Sequence, residues 1–419
     1  MTEAVADAIA AEPPRKPWKR SLALITVISL LNSMAAMIVV PVLPSLVRSF
    51  THAVGPAAQV VGLFAATFAG IQFFASPVLG SLSDAFGRRT VILLSAFGLA
   101  ADYLFMALSP SLGWLFVGRI IAGITSASAP AVNAYIADTI PPEERAGAFG
   151  WTGSAFAVGF LAGPAVGGLV GAIDPRLPFW VSAGLCLTIA VYGFFVLPES
   201  LPKERRTPFS FRRANPWSSF RFLLERPAIG GLVAVQTVMA IAAQCLPTTL
   251  ILYTLSRYRW STAISGPYLT YAGIGHLVVQ SLVVKRFVKR FGERTAAITG
   301  YAATAIGFLI YASAPTGLLF PLGMPFYALA GLVGPAVQSQ MTRQIAPTEQ
   351  GRLQGTIAGL ASLCGLFAPI MFTQVFGFAT EHARGGLVPP GLHLYLGAAI
   401  LLGGAGMAAA FMRRKAAPA

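Results

Sequence analysis

The sequence predicts an all-α membrane protein: twelve transmembrane helices in two pseudo-symmetric six-helix bundles. Three observations carry this. Hydrophobic residues make up 55% of the 419 positions and charged residues only 11%, against roughly 25% charge in a soluble domain. The apolar residues gather in twelve runs, each near the about 20 helical residues that cross a hydrocarbon core about 30 Å thick. The chain also repeats itself at a constant offset of 205 residues. Disorder is excluded by the apolar content. A set of soluble domains is excluded because no central stretch offers a solvated face.

The first run, 21–47, follows Arg15, Lys16, Lys19 and Arg20. It is too long for a signal peptide and lacks a small-residue cleavage site, so it is read as the first membrane helix. The runs 57–80, 90–109, 113–137, 147–172 and 178–198 complete an N-terminal bundle over 1–198, including a cytoplasmic tail. Residues 199–227, polar and basic with four prolines, form a cytoplasmic linker. The runs 228–256, 262–284, 295–314, 317–342, 353–378 and 390–412 build the C-terminal bundle over 228–419, again with a cytoplasmic tail. Gly (43) and Pro (30) fall inside many runs. Membrane helices tolerate both, because neighbours re-satisfy the freed backbone and small residues allow close packing. Cys186, Cys245 and Cys364 lie in three different helices without metal spacing and are read as small buried apolar residues.

The net charge of +15 could suggest an acidic partner. Its placement argues otherwise. With the N-terminus inside, 24 of the 30 Lys+Arg fall on one face and five on the other, with Arg119 inside a helix. That asymmetry puts both termini in the cytoplasm of a multi-pass protein of the cell inner membrane. The basic charge meets lipid head groups, and no nucleic acid is implied.

The repeat is ungapped. Phe86, Gly87, Arg89 and Thr90 recur as Phe291, Gly292, Arg294 and Thr295; Pro130-Ala131-Val132 recurs as Pro335-Ala336-Val337. Gly118, Ile140, Pro142, Glu144, Gly150 and Pro164 recur as Gly323, Ile345, Pro347, Glu349, Gly355 and Pro369. Two parallel repeats imply a two-fold axis along the membrane normal and a central site between the halves.

Of the 15 acids, only Asp102 falls within the membrane. An ionisable group there costs several kcal/mol unless paired or wet. At 1.5 Å per residue, Asp102 on helix 3 and Arg119 on helix 4 sit at roughly 18 Å and 21 Å from the cytoplasmic side. The two are expected to form a buried pair. A carboxylate whose partner changes between conformations holds its proton with two affinities, which is what proton coupling needs. A static ion pair joining helices 3 and 4 is the alternative. His276 on helix 8 and Gln72 on helix 2 lie at similar heights in opposite halves. His276 suits substrate binding or proton transfer, or alternatively hydrogen-bonded packing. Asn133 and Gln338 are repeat partners, and Asn32, Gln236 and Gln244 add further amides. They serve a binding site or interhelical hydrogen bonds.

Gly80-Ser81-Leu82-Ser83-Asp84-Ala85-Phe86-Gly87-Arg88-Arg89 resembles the loop signature between helices 2 and 3 of the major facilitator superfamily. Gly150, Gly159, Gly163, Pro164, Gly167 and Gly168 are similar to that family's antiporter motif, and Val117-Gly118-Arg119 to its arginine motif on helix 4. Leu43–Val47, Ala101-Asp102-Tyr103, Gly123-Ile124-Thr125, Ile136-Ala137-Asp138 and Phe149-Gly150-Trp151 resemble the tetracycline-resistance efflux pumps. Those pumps carry acids where this chain has Asn32 and Thr304.

The resemblance implies the major facilitator fold, with helices 1, 4, 7 and 10 lining a cavity that contains the amides and His276. It implies a proton-coupled efflux transporter for a drug-like or hydrophobic small molecule, with tetracycline a candidate, working by alternating access. Asp102, Arg119 and His276 are its proton-coupling candidates. A metabolite importer of the same fold is the alternative. The resemblance also implies a cytoplasmic gate of Gly80, Asp84, Gly87, Arg88, Arg89 and Asp138. Asp84 would reach the start of helix 11 near Leu353, and Arg88 or Arg89 would pair with Asp138. The second half is expected to lack this latch, since Lys285 and Lys289 replace Gly80 and Asp84. The helix 5 glycines are expected against the opposite half. No enzyme is implied: there is no His-Glu-x-x-His, no Gly-Lys-Ser/Thr loop and no metal cluster. The energy source is the proton gradient, without a cofactor, in a monomer.

Overall fold

The computed structural model describes residues 17–126, 129–207, 229–345, 350–382 and 388–412. The terminal tails and most of the predicted linker lie outside the described residues. Every extended element among the described residues is helical, and we group the helices into twelve rods. The first six are α1 (Pro17–Val39, continued by Leu43–Thr51), α2 (Val54–Phe86), α3 (Arg88–Leu108), α4 (Leu112–Thr125 and Ala129–Thr139), α5 (Pro142–Ile173) and α6 (Leu177–Val196). The next three are α7 (Gly230–Ala243 and Cys245–Tyr258), α8 (Thr262–Val278, a π turn Val279–Val283, then Val284–Phe291) and α9 (Glu293–Ser313). The last three are α10 (from Phe320 to Arg343, partly 3-10), α11 (Gln350–His382) and α12 (Leu392–Phe411).

Local chemistry sets several boundaries. Prolines 41 and 44 lack N–H groups, and α1 breaks between its two parts. Pro142 and Pro178 open α5 and α6, where a missing N–H is harmless. α2 and α8 both end on a left-handed glycine, Gly87 at φ 104° and Gly292 at φ 83°. The sequence repeat thus extends to backbone conformation. Several rods outrun the predicted spans, notably α2 and α5, because polar turns continue the helix past the apolar run.

Ten described helical spans are long and apolar enough to cross a membrane, and Leu112–Thr125 is a shorter apolar one. Large apolar side chains such as Leu187, Phe195, Leu309 and Leu402 point outward. This is a multi-pass membrane protein, with lipid solvating what water would not.

Within the first half, α1 packs on α5 and α6, and α3 on α4 and α6. In the second, α9 packs on α12 and α10, and α7 on α12 and α11. The halves meet along α2 with α11 and α5 with α8. We call the surface bearing Arg88, Asp138 and Glu293 the basic face, and its opposite the far face. The meeting of the halves is one-sided. Near the far face, Gly62 lies against Thr373, and Gly168 against Gly266 and the Thr262 carbonyl. Toward the middle, the Thr270 hydroxyl donates to the Leu161 carbonyl at 2.8 Å. Toward the basic face, Gly80 of α2 and Gly147, Gly150 and Gly153 of α5 have no neighbouring atom among the described residues within 4 Å of where a Cβ would sit, their own helices' backbone apart. There the first half packs as a separate core around Ile25, Ile92, Tyr135 and Ile136. Among the described residues, these close contacts between the halves lie near the far face and in the middle.

Candidate functional site

The most enclosed charge lies between α3 and α4. Asp102 is completely buried, and its Oδ2 accepts from Arg119 Nη2 at 2.5 Å. The Arg119 side chain is 15% exposed. The same Nη2 reaches Met106 Sδ at 3.2 Å, and the guanidinium lies 5.8 Å from the Phe68 ring of α2. Gly118 makes the approach of α3 and α4 feasible: a Cβ there would stand 2.7 Å from Asp102 Oδ1. The pair is not saturated. Asp102 Oδ1 and Arg119 Nε are both enclosed without a hydrogen-bond partner among the described residues. A single bond holds a charge that could accept more, so this carboxylate can change partner or protonation when its surroundings move.

The predicted polar residues are dispersed. Gln72 Nε2 donates to Ser126 Oγ at 3.2 Å, joining α2 to α4 beside the ion pair's helices. Gln244 occupies the break in α7, its amide facing Gly365 of α11. Gln236 is half-buried, and its Oε1 has no partner among the described residues. Asn32 and Gln338 are half-buried and Asn133 is exposed. His276 is exposed and packs its Cε1 toward Gly331 of α10. It belongs to the half opposite Asp102, and the structure does not bring the two together. Thr304 is buried and its hydroxyl donates to its own helix at Gly300. Its donor is thus used within its own helix.

At the basic face Arg88 is the hub. Its Nη1 meets Asp84 Oδ1 at 2.5 Å and Ser83 Oγ at 3.1 Å, and its Nε meets Asp138 Oδ2 at 3.1 Å. Glu199, which sequence reasoning left as a surface acid, takes the Arg88 backbone N–H at 2.9 Å. Gly87 sits at a positive φ that favours glycine, and a side chain there would have to displace the Glu199 carboxylate.

Two expectations about motif residues are corrected, and the pairing expected of Arg88 or Arg89 with Asp138 is made by Arg88. Asp84 does not reach the start of α11; its carboxylate is held by Arg88 and is about half exposed, 48%. Arg89, the other of the two arginines, donates to the Phe194 carbonyl and lies over the Phe194 ring, closing the end of α6. The helix 5 glycines mostly do not face the opposite half. Gly159, Gly163 and Gly167 lie against Leu30, Met37 and Ile38 of α1 in their own half, Gly150 faces open space, and only Pro164 and Gly168 meet Gly266. The helical period decides this, since positions four apart share one face and Gly168 lies beside it.

The second half keeps part of what the sequence suggested it had lost. Arg343 Nη2 pairs with Glu293 Oε1 at 2.8 Å, and Ser339 donates to the same oxygen at 2.5 Å. These positions are 205 residues beyond Asp138 and Arg88. The offset itself was the signal that could have found them. Phe68 carried no signal, being one aromatic among many in an apolar run.

Comparison with known proteins follows this geometry. The family model described as Major Facilitator Superfamily matches residues 25–369. Tetracycline resistance protein class C of Escherichia coli is 39% identical over 367 residues, covering 87% of this chain and 92% of that protein. The class B protein of Escherichia coli is 32% identical, covering 88% and 92%. Among solved structures, nucleoside transporter NupG superposes with a TM-score of 0.78 at 14% identity, covering 94% of this chain and all of that one. The human organic anion transporter MFSD10 gives 0.68 at 23% identity, covering 95% and 100%.

Proposed function

The chain belongs to the major facilitator superfamily and is a transporter rather than an enzyme, and on that premise we propose that it exports a drug-like, largely hydrophobic molecule in exchange for protons. The observation that carries the reading is the enclosed Asp102–Arg119 pair, half-satisfied and at the level of the membrane interior. Tetracycline is the first substrate to test, because the similar curated proteins are tetracycline resistance proteins over most of their length. The cytoplasm lies at the basic face, supported by the 24 to five division of Lys+Arg. The membrane is the cell inner membrane.

The proposed cycle alternates a state open at the basic face with one open at the far face. Substrate enters from the basic face among Asn32, Gln72, Asn133, Gln236, Gln244, His276 and Gln338. Proton arrival at Asp102 from the far face loosens its hold on Arg119, and release follows on the basic side. Transport then needs no cofactor, only the proton gradient.

The test is susceptibility of a pump-deficient bacterium expressing the chain, across a drug panel that includes tetracycline. Exclusion of at least one compound, abolished by a protonophore, is the expected result. Accumulation of a metabolite without drug exclusion would establish an importer instead.

A further inference from the structure

His393, on the first turn of α12, is completely buried, and neither ring nitrogen has a hydrogen-bond partner among the described residues. The ring meets two aromatic rings edge to face, Phe376 of α11 at 4.9 Å and Tyr253 of α7 at 5.2 Å between centroids. The Cys245 thiol of α7 reaches its backbone carbonyl at 3.8 Å. A buried donor or acceptor left unpaired costs about 1–3 kcal/mol. A phenylalanine would fill such an aromatic cage without that cost. The cost is recovered only where the nitrogens meet a partner, in a different arrangement of the helices.

Two features place that partner on the far side. The cage lies within about two helical turns of exposed residues, Pro389 and Pro390 before α12, Ser256 near the end of α7 and Glu381 at the end of α11. Its Phe376 wall is also continuous with the contact between the halves. Thr373, one turn before it, lies against Gly62 of α2, and the adjacent Gly377 lies against Gln59.

The groups around the ring do not hold a proton on it in the described arrangement. α7 contributes Cys245, Tyr253 and Tyr258, with the Arg257 guanidinium 5.8 Å from the Tyr253 ring. α9 contributes Tyr311, whose carbonyl takes the Tyr253 hydroxyl at 3.0 Å. α12 itself carries Tyr395, and α11 ends in the exposed Glu381 and His382. None of the enclosed groups is an acid, so an imidazolium there would be a buried charge without a counter-ion.

We propose that His393 is a second proton-binding site of the membrane-spanning part, in the half opposite Asp102. When α11 draws away from α2 at the far face, the Phe376 wall moves with it and water reaches the imidazole. A proton then adds to a ring nitrogen from that water, and it returns to the same water before the far face closes. A proton that binds one conformation alone favours it, so acid on the far side holds the far face open. The inference rests on the alternating-access reading above and not on the identity of the substrate.

The chain has four histidines, so ring-labelled histidine gives four NMR signals in the full-length protein in detergent. His393→Phe identifies the signal sought. A disulfide between Gln59→Cys and Gly377→Cys holds the far face shut, since a Cβ at 377 would stand 3.6 Å from Gln59 Cγ. With the bridge formed, the His393 signal is expected to stay fixed between about pH 5 and pH 8. With the bridge reduced, it is expected to titrate in that range, where histidine changes its charge. A signal that titrates under the bridge, or fails to titrate without it, overturns the site. A second measurement compares formation of the same bridge in chains carrying His393 or His393→Phe. At about pH 8 the two rates should match, and near pH 5 the His393 chain should cross-link about three-fold more slowly. Equal rates at both pH values, which a merely packing histidine would give, overturn the proposal. Neither measurement uses drug export, so a failed export assay leaves both outcomes readable.

Discussion

Where α3 meets α4, the first half holds Asp102, Met106, Gly118 and Arg119; 205 residues later, the second half holds Gly307, Tyr311, Gly323 and Met324. The backbones come close in both, and closer in the second half. A Cβ on Gly118 would stand 3.5 Å from the Asp102 carbonyl and 2.7 Å from its Oδ1, and one on Gly323 2.8 Å from the Gly307 carbonyl and 2.7 Å from the Tyr311 ring. Around the first approach are charges, one of them completely buried. Around the second is an aromatic cluster, with Tyr311 stacked on Phe320 at 4.4 Å and bonded to Tyr268 at 2.9 Å. The close approach of third and fourth helices is thus a property of the fold. What fills it differs, and only the first half fills it with something that can take up a proton.

That contrast can be broken most decisively at Asp102. Asp102→Asn keeps the volume and can still accept from Arg119, so folding is expected to survive. Substrate-driven proton release in proteoliposomes is expected to fall to the level of empty liposomes. Release at the original level would remove the first half's claim to the coupling site. Next come the two glycines. In Gly118→Ala the methyl group displaces a carboxylate, and export is expected to drop about ten-fold or more, since small misplacements at a reacting group are costly. In Gly323→Ala the methyl meets a ring and a backbone carbonyl, so the cost of about 1–3 kcal/mol should appear as a lower Tm. Export per folded molecule there should stay within about two-fold. Matching profiles for the two variants would mean that the halves are not specialised. The smallest effects concern the basic face. Arg88 is 13% exposed and holds two carboxylates, so Arg88→Ala is expected to cost about 2–3 kcal/mol in thermal unfolding. Arg343 is 73% exposed, so Arg343→Ala should cost about 1 kcal/mol or less.

Much of the architecture was legible in the sequence, because membrane length and charge asymmetry act on composition directly. The Asp102–Arg119 pair was legible for the same reason: two charges at one depth in adjacent helices have few other places to go. The basic-face connections were not. Whether Arg88 or Arg89 turns toward Asp138 depends on which side of α3 each occupies, and the run of two arginines does not say. The helix 5 glycines misled because small residues report close packing without naming the neighbour, and α1 was the neighbour for three of them. Asp84 was not legible because Arg88, one helical turn further on, takes up its carboxylate.

The π turn Val279–Val283 in α8 has a counterpart in α2. Moving back 205 residues gives 74–78, and that stretch contains Pro77, inside the helix. One widens the helical winding and the other deletes a backbone hydrogen bond, and both soften a rod locally. Mechanically, the two struts that pivot against the opposite half are notched at one height. Each has an upper segment packed against the opposite half and a lower arm ending at Gly87 or Gly292. Force applied at those lower ends will flex the notches before it loosens that packing.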